Sequence, residues 1–482
     1  MDVTVLTTDH GEREPQPDAR VFASDDAPAN PAVLQLLGDK LASADLATGP
    51  VVLPDFHHKA DMEMPSSIAV ATRGTIRPTL TSSSVNCGMA LLAFDAEVPS
   101  QAAITRFYDA VRERFPHPTG NRRDLTAREV LRAAVDGAGF AADRFGVDPS
   151  NLQRMEKDGR IDLAPYGGAA RLRKELPWLV VQFSRMRFGT IGPSNHFVEL
   201  QRVEEVLDRH AAEVFGVKEG QLTLQYHGGG GVLAGQIGRL FGRREKIARP
   251  VKLEMALAKP LFHLATARSL AELKLRRALY FSGGCPPVEL DGPEGPRLLL
   301  AQAAAMNYGF AFRLATYAAL QEFAAKIFGA RDSHLVVDSP HNSIYEEELD
   351  GERVVLHRHN ACQAYPASRM AGHPVFAATG QAILLPGTNK TSSYLCAAEE
   401  GAGASLWSAC HGAGTMIDDF VARGLSGPDP QGRTTLRYNY QGSAPAVVPH
   451  LDDNGVNEAL KILQRHGIAR PVARLRPLAV LN

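Results

Sequence analysis

Five short stretches, far apart in the chain, each carry one metal-ligating or nucleophilic side chain among small residues or Asn. They read Val85-Asn86-Cys87-Gly88, Ser194-Asn195-His196-Phe197, Tyr226-His227-Gly228-Gly229, Pro340-His341-Asn342 and Cys410-His411-Gly412-Ala413-Gly414. The flanking residues suit tight turns rather than amphipathic surfaces. A single His in such a setting says little. One thiol and four imidazoles flanked in this way point to one cleft built to hold an ion, with ligands drawn from the whole chain. That demand constrains the fold: most of the sequence must close into one body around the cleft.

The chain is long enough for this, with 482 residues of which 44% are hydrophobic. Its net charge of -1 excludes a uniformly basic protein, so any nucleic-acid contact must come from local patches. The five cysteines, Cys87, Cys285, Cys362, Cys396 and Cys410, are odd in number and lack the spacing of a disulfide framework or zinc ribbon. A reducing, cytoplasmic setting is expected. The start, Met1-Asp2-Val3-Thr4, shows no signal-peptide pattern, and no apolar run reaches the roughly 18 residues of a membrane span.

Hydrophobic periodicity places the elements. Residues 11–30 are rich in Pro, Asp and Ala and read as a loop or extended arm within a divergent lead-in of residues 1–50. Val51-Val52-Leu53-Pro54 reads as a buried strand delivering Asp55-Phe56-His57-His58. Residues 100–116 and 126–146 have helical spacing, with Ser100 and Thr126 as caps. Trp178–Phe183 and Leu222–Tyr226 read as strands, each preceding a His/Gly loop. Residues 251–279 and 296–328 are the long helices, the second central, and short strands and turns fill 335–412. No repeat or low-complexity linker divides the chain. The expected fold is α+β, a single large domain over residues 1–482 with a central metal-binding cleft.

Each stretch also has a plainer reading. The four glycines after His227 let backbone approach an anion, and serve a structural turn equally well. His411 suits a metal ligand or a nucleophile toward phosphorus, although a lone His is more often satisfied by backbone groups. In His357-Arg358-His359 the Arg suits phosphate recognition or a surface ion pair. Basic clusters at Arg239, Arg243, Arg244, Lys246 and Arg249, at Arg185 and Arg187, and at Arg470, Arg474 and Arg476 are solvated faces or tracks for a polynucleotide backbone.

Taken in order, these stretches resemble the RtcB-type RNA ligases, also called tRNA-splicing ligases or 3′-phosphate/5′-hydroxy nucleic acid ligases. The likeness runs from about Val51 to the C-terminus. It is carried by Pro54-Asp55-Phe56-His57, by Asn86-Cys87-Gly88, and by the run from Gly189-Thr190-Ile191-Gly192 to Asn195-His196-Phe197-Val198-Glu199. It continues through His341-Asn342, His357-Arg358-His359-Asn360-Ala361, Pro386-Gly387-Thr388-Asn389-Lys390 and His411-Gly412-Ala413-Gly414. The resemblance implies two Mn²⁺ ions bridged by Cys87, with His196 on one and His227 and His341 on the other. It implies that His411 attacks the α-phosphate of GTP. A GMP pocket would take in Asn195, Phe197, Glu199, His341, Asn342, Thr388, Ser393 and the loop His411, Gly412, Ala413, Gly414.

The implied activity is ligation of RNA 2′,3′-cyclic phosphate or 3′-phosphate ends to 5′-hydroxyl ends, in RNA repair or tRNA splicing. RNA and GTP are the implied partners, with a protein activator left open. The chain departs from the family pattern at Ser84, where the family carries a metal-binding Asp, and at Gly231, Thr415 and Asn482. The segment Lys59-Ala60-Asp61-Met62-Glu63-Met64 replaces a glycine-rich run, so Asp61 or Glu63 is a candidate substitute for the missing carboxylate. Two alternatives follow: an impaired paralogue that binds metal and RNA, and a metal-dependent cyclic-phosphate hydrolase.

Overall fold

The runs Gly88–Phe94 and Leu222–Gly228 are largely apolar and buried at every position, as strands covered on both faces must be. A computed structural model describes residues 4–6, 18–60, 62–118, 122–192, 196–244, 249–442 and 444–482. In it these two strands lie in a nine-stranded sheet. Its main path runs Ser333–Pro340, Gly88–Phe94, Leu222–Gly228, Phe197–Val206, Ala469–Leu481, Ser393–Ala398 and Ala382–Leu385, with Thr434–Tyr438 and Ala446–Pro449 joined beside Ala469–Leu481. A six-stranded sheet runs Thr4–Leu6, Ala19–Val21, Val51–Val52, Ile68–Arg73, Glu352–His359 and Asn342–Leu349. Mixed helix and strand in one body agree with the expected α+β class.

The two sheets meet at one residue. Ser333–Pro340 closes an edge of the larger sheet, Asn342–Leu349 opens an edge of the smaller, and His341 lies between them. Gly88 pairs with both Pro340 and Gly228. A Cβ on Gly88 would lie 2.5 Å from the Ser339 carbonyl oxygen, so only glycine lets these backbones approach so closely.

The helix Gly295–Phe328 is buried around nearly its whole circumference from Arg297 to Tyr317, which marks it as the core of a large body rather than a surface element. Gly309 lets it touch the Cys87 turn, since a Cβ there would sit 2.6 Å from Asn86 Cβ. The expected caps are present: Ser100 accepts from the Ala103 N–H, and Thr126 forms a capping box with Glu129. The helical pattern over 126–146 is split into Ala127–Asp136 and Ala138–Phe145 at Gly137, whose φ of +59° breaks the helix. Residues 251–279 likewise form two helices, Arg249–Thr266 and Leu270–Tyr280, the second capped by Ser269.

One element differs in kind. Trp178–Phe183 is a short helix, not a strand. Six apolar residues in a row carry no period that separates the two, and Pro177 just ahead has φ near -62° and opens the turn. In the lead-in, residues 7–17 lie outside the described residues. Ala19–Val21 pairs in parallel with Val51–Val52, and Asn30 caps the helix Pro31–Leu41, whose Leu37 and Leu41 are buried.

A buried ion pair ties the central helix to the sheet. Arg313 and Asp338 are 0% and 1% exposed, and the guanidinium meets the carboxylate through Nε at 2.8 Å. It also donates to the Asn86 backbone carbonyl and, at 2.6 Å, to Asn86 Oδ1. Substituting Arg313→Met strands the Asp338 carboxylate without its partner. The expected cost is about 3–5 kcal/mol, read by urea unfolding, and the double variant Arg313→Met/Asp338→Leu should recover part of it.

Candidate active site

Ser333–Pro340, Gly88–Phe94, Leu222–Gly228 and Phe197–Val206 each run antiparallel to the next, so the start of one lies beside the end of its neighbour. Cys87 precedes Gly88–Phe94 and His196 precedes Phe197–Val206. His227 is the penultimate residue of Leu222–Gly228, and His341 follows Ser333–Pro340. Four side chains from distant sequence positions therefore converge on one side of the sheet. The Cys87 Sγ is 3.3 Å from His227 Nε2 and 3.6 Å from His196 Nε2, and His227 Nε2 is 3.0 Å from His341 Nε2.

Cys87, His227 and His341 are all buried and offer ligand atoms within 4.8 Å of one another. Thiolate and imidazole donors around a tetrahedral ion, at about 2.3 and 2.0–2.1 Å, lie about 3.3–3.6 Å from each other. The donor chemistry and spacing therefore fit a divalent metal. The buried Nδ1 atoms of His341 and His411 have no hydrogen-bond partner among the described residues.

The turn that aims Cys87 is stitched to His341. Asn86 takes φ of +57°, which Asn tolerates better than most residues. The Cys87 N–H donates to the Ser84 carbonyl at 3.1 Å, and the Cys87 carbonyl accepts from the His341 N–H at 2.8 Å. The Asn86 N–H donates to the Asn342 carbonyl at 3.0 Å. Packing accounts for the key glycines after His227. A Cβ on Gly230 would lie 2.0 Å from the Val85 carbonyl oxygen, and Gly231, at φ of +77°, would meet the Phe312 ring at 2.6 Å. They seat the helix Gly231–Leu240 against the Cys87 turn.

Burial sets the protonation states. It pushes the Cys87 thiol up to about 12, with Arg313 opposing, so ligation must displace a proton. Burial also holds His196 and His341 below the usual imidazole value, His341 well below, with His411 and His227 adding to the latter effect. Imidazoles that resist protonation keep their lone pairs for a metal.

His411 follows the strand Ser408–Cys410, which pairs with Ala361–Gln363, and Ala361 N–H bonds the His341 carbonyl. The His341 and His411 ring centroids are 4.4 Å apart. Burial lowers His411 to about 4, and the adjacent His57 adds to the shift. Asp55, at φ of +62°, accepts from the Met416 N–H at 2.7 Å and so anchors the helix Gly414–Ala422. Asp55, His57 and Thr415 line a second cleft of about 590 Å³.

The remaining expected pocket residues form a connected group. The Ala413 N–H donates to the Pro386 carbonyl, and the Gly387 N–H to Ser393 Oγ. Gln201 Nε2 bonds both Ser393 Oγ at 3.3 Å and Glu199 Oε1 at 2.7 Å. The Thr388 N–H bonds Thr391 Oγ1. Phe197 sits edge-on to His227, with centroids 5.9 Å apart. Asn342 accepts from the Asn360 N–H through Oδ1. Asn195 and Asp61 lie outside the described residues.

Several side chains have roles that their sequence neighbourhood did not disclose. Glu63, Arg244, His359 and Asn360 line a cleft of about 290 Å³ together with Ser84, Cys87, His196 and His341. Arg244 is not a surface charge. It is tied to Glu63 at 3.0 Å and to the Thr81, Pro78 and Gly238 carbonyls. Arg358 is neither a phosphate reader nor a surface ion pair. It is 0% exposed and donates to Ser408 Oγ and the Trp407 carbonyl. Arg470, Arg474 and Arg476 are taken up by Asp208, Glu204, Glu205 and Asp453. Lys246 lies outside the described residues. Sequence distance hid these pairings, because each joins elements far apart in the chain.

A family model described as tRNA-splicing ligase RtcB matches residues 40–482. A tRNA-splicing ligase RtcB of Pyrococcus furiosus is 27% identical over 414 residues, covering 82% of this chain and 39% of that protein. The one from Pyrococcus horikoshii is 28% identical, covering 82% and 44%. That from Thermococcus kodakarensis is 26% identical over 452 residues, covering 89% and 86%. The chain thus spans 39% to 44% of the length of the first curated relatives it matches. No helix among the described residues is long and apolar enough to cross a membrane.

Glu199 offers a test of the pocket's electrostatics. Burial raises its carboxyl from 4.5 to about 8, with the Gln201 hydrogen bond opposing. A carboxyl raised in the folded state favours folding while neutral, and that advantage is lost as pH climbs through the folded value. Wild-type stability should therefore fall relative to Glu199→Gln between about pH 4.5 and 8. Urea midpoints of both proteins across that range measure the difference.

Proposed function

Because the chain belongs to the RtcB family, as the match over residues 40–482 establishes, we propose that it is a metal- and GTP-dependent RNA ligase. In this reading it joins 2′,3′-cyclic phosphate or 3′-phosphate ends of RNA to 5′-hydroxyl ends, in tRNA splicing or RNA repair. The observation that carries the reading is His411, a half-buried imidazole whose ring centroid is 4.4 Å from that of His341, which itself belongs to the Cys87–His227–His341 donor set. An imidazole lowered to about 4 keeps its lone pair at neutral pH, which a nitrogen nucleophile requires.

The family likeness supplies the roles. His411 attacks the α-phosphorus of GTP, forming a P–N bond as pyrophosphate leaves. Glu199 accepts hydrogen bonds from the base, and Ser393, Thr388 and the Gly412–Gly414 backbone contact the nucleotide, with Asn195, Phe197 and Asn342 around it. A divalent ion at the donor set, Mn²⁺ by the family likeness, supplies positive charge to the phosphates. Five free cysteines fit a reducing, cytoplasmic setting.

Incubation with α-³²P-GTP and metal should label the protein, with the label acid-labile and base-stable as a phosphoramidate is. His411→Ala should abolish labelling while leaving the unfolding transition in place. A wild-type chain that binds metal and RNA but takes no label would instead be the impaired paralogue.

A further inference from the structure

Ser84 is exposed at the rim of the Cys87 cleft, and the carboxylate nearest in that lining, Glu63, is already held by Arg244 at 3.0 Å. We propose that this cleft binds a single divalent ion, on Cys87, His227 and His341, and that His196 bonds the Cys87 sulfur instead of ligating a second ion. The proposal rests on reading the cleft as a metal centre.

Three observations carry it. The donor atoms of Cys87, His227 and His341 lie within 4.8 Å of one another and form one set, and His196 stands beside it with Nε2 at 3.6 Å from the sulfur, within reach of a sulfur–imidazole hydrogen bond. Three donors with further positions left for water or substrate make a complete site for one ion. Among the described residues, a second ion beside it would find a thiolate already shared, one imidazole and the neutral hydroxyl of Ser84.

The second observation is that Glu63 is not placed to complete such a site. Its partner Arg244 has a side chain 3% exposed, fixed by the carbonyls of Thr81, Pro78 and Gly238. Moving the carboxylate onto a metal would leave that guanidinium buried without its counter-ion, which is unfavourable.

The third is the charge count. Two divalent ions repel with four times the Coulomb energy of a unit pair. Paired-ion sites offset this with anionic groups shared between the ions. Among the described donors here the thiolate of Cys87 is the one anion, because His196, His227 and His341 bind metal as neutral imidazoles.

Equilibrium dialysis of the full chain against Mn²⁺ or Zn²⁺, with and without GTP, followed by elemental analysis, reads the stoichiometry directly. One ion per chain is expected for the wild type and for His196→Ala, and none for His227→Ala. Ser84→Asp, which restores an anion at the rim, should take up two. Two ions in the wild type, loss of the ion in His196→Ala, or a single ion in Ser84→Asp would overturn the proposal. No ion at all in the wild type would overturn the metal-centre reading on which it rests.

Discussion

The cleft around Cys87 depends on a buried guanidinium. Arg313 leaves the central helix Gly295–Phe328, meets Asp338 in the larger sheet and holds both the backbone and the side chain of Asn86. That last contact fixes a residue in the left-handed region one position ahead of Cys87. A charged pair with almost no exposure is tolerated only when its hydrogen bonds are met. Here they are met by the turn that carries the thiol. Helix, sheet and ligand are thus one mechanical unit, and the glycines at 88, 230 and 309 remove the side chains that would hold the parts apart.

The same burial that strengthens this pair dictates the chemistry of the cleft. It disfavours charge on five side chains there, raising Cys87 and lowering His196, His341, His359 and His411. Desolvation leads in each case. The result is a pocket of neutral nitrogen donors with one thiol able to become anionic, which suits a divalent metal. Two cationic side chains near the site, Arg313 and Arg244, are both committed to carboxylates and carbonyls.

Topology places His411 beside the Cys87, His227 and His341 donor set. His341 occupies the single-residue joint between the two sheets, so its backbone is held from both sides: by Cys87 through its N–H and by Ala361 through its carbonyl. Ala361 begins the short strand paired with Ser408–Cys410, and His411 is the next residue. Two hydrogen bonds therefore relate Cys87, His341 and the His411 strand. The Gly412–Gly414 loop is in turn pinned to Pro386, and through Ser393 and Gln201 to Glu199.

Much of this was readable from residue types alone. Cys87, His196, His227, His341 and His411 stand out because a thiol or imidazole between Asn and small residues has few structural uses, and the tertiary structure brings them together. The caps Ser100 and Thr126, the buried strand at Leu222 and the central helix also follow from local pattern, since each depends on neighbours within a few residues. Other features could not be read so. Trp178–Phe183 lacks a period, and its helix was decided by Pro177 and by what Val180 and Val181 pack against. The fate of Arg244, Arg358 and Arg313 was equally hidden, because a charge in sequence shows its sign and not its partner. Residue chemistry determined which groups can act. Only the fold decided which of them are spent holding it together, because those partners lie far apart in the chain, 272 residues for Arg476 and Glu204 and 361 for Asp55 and the Met416 N–H.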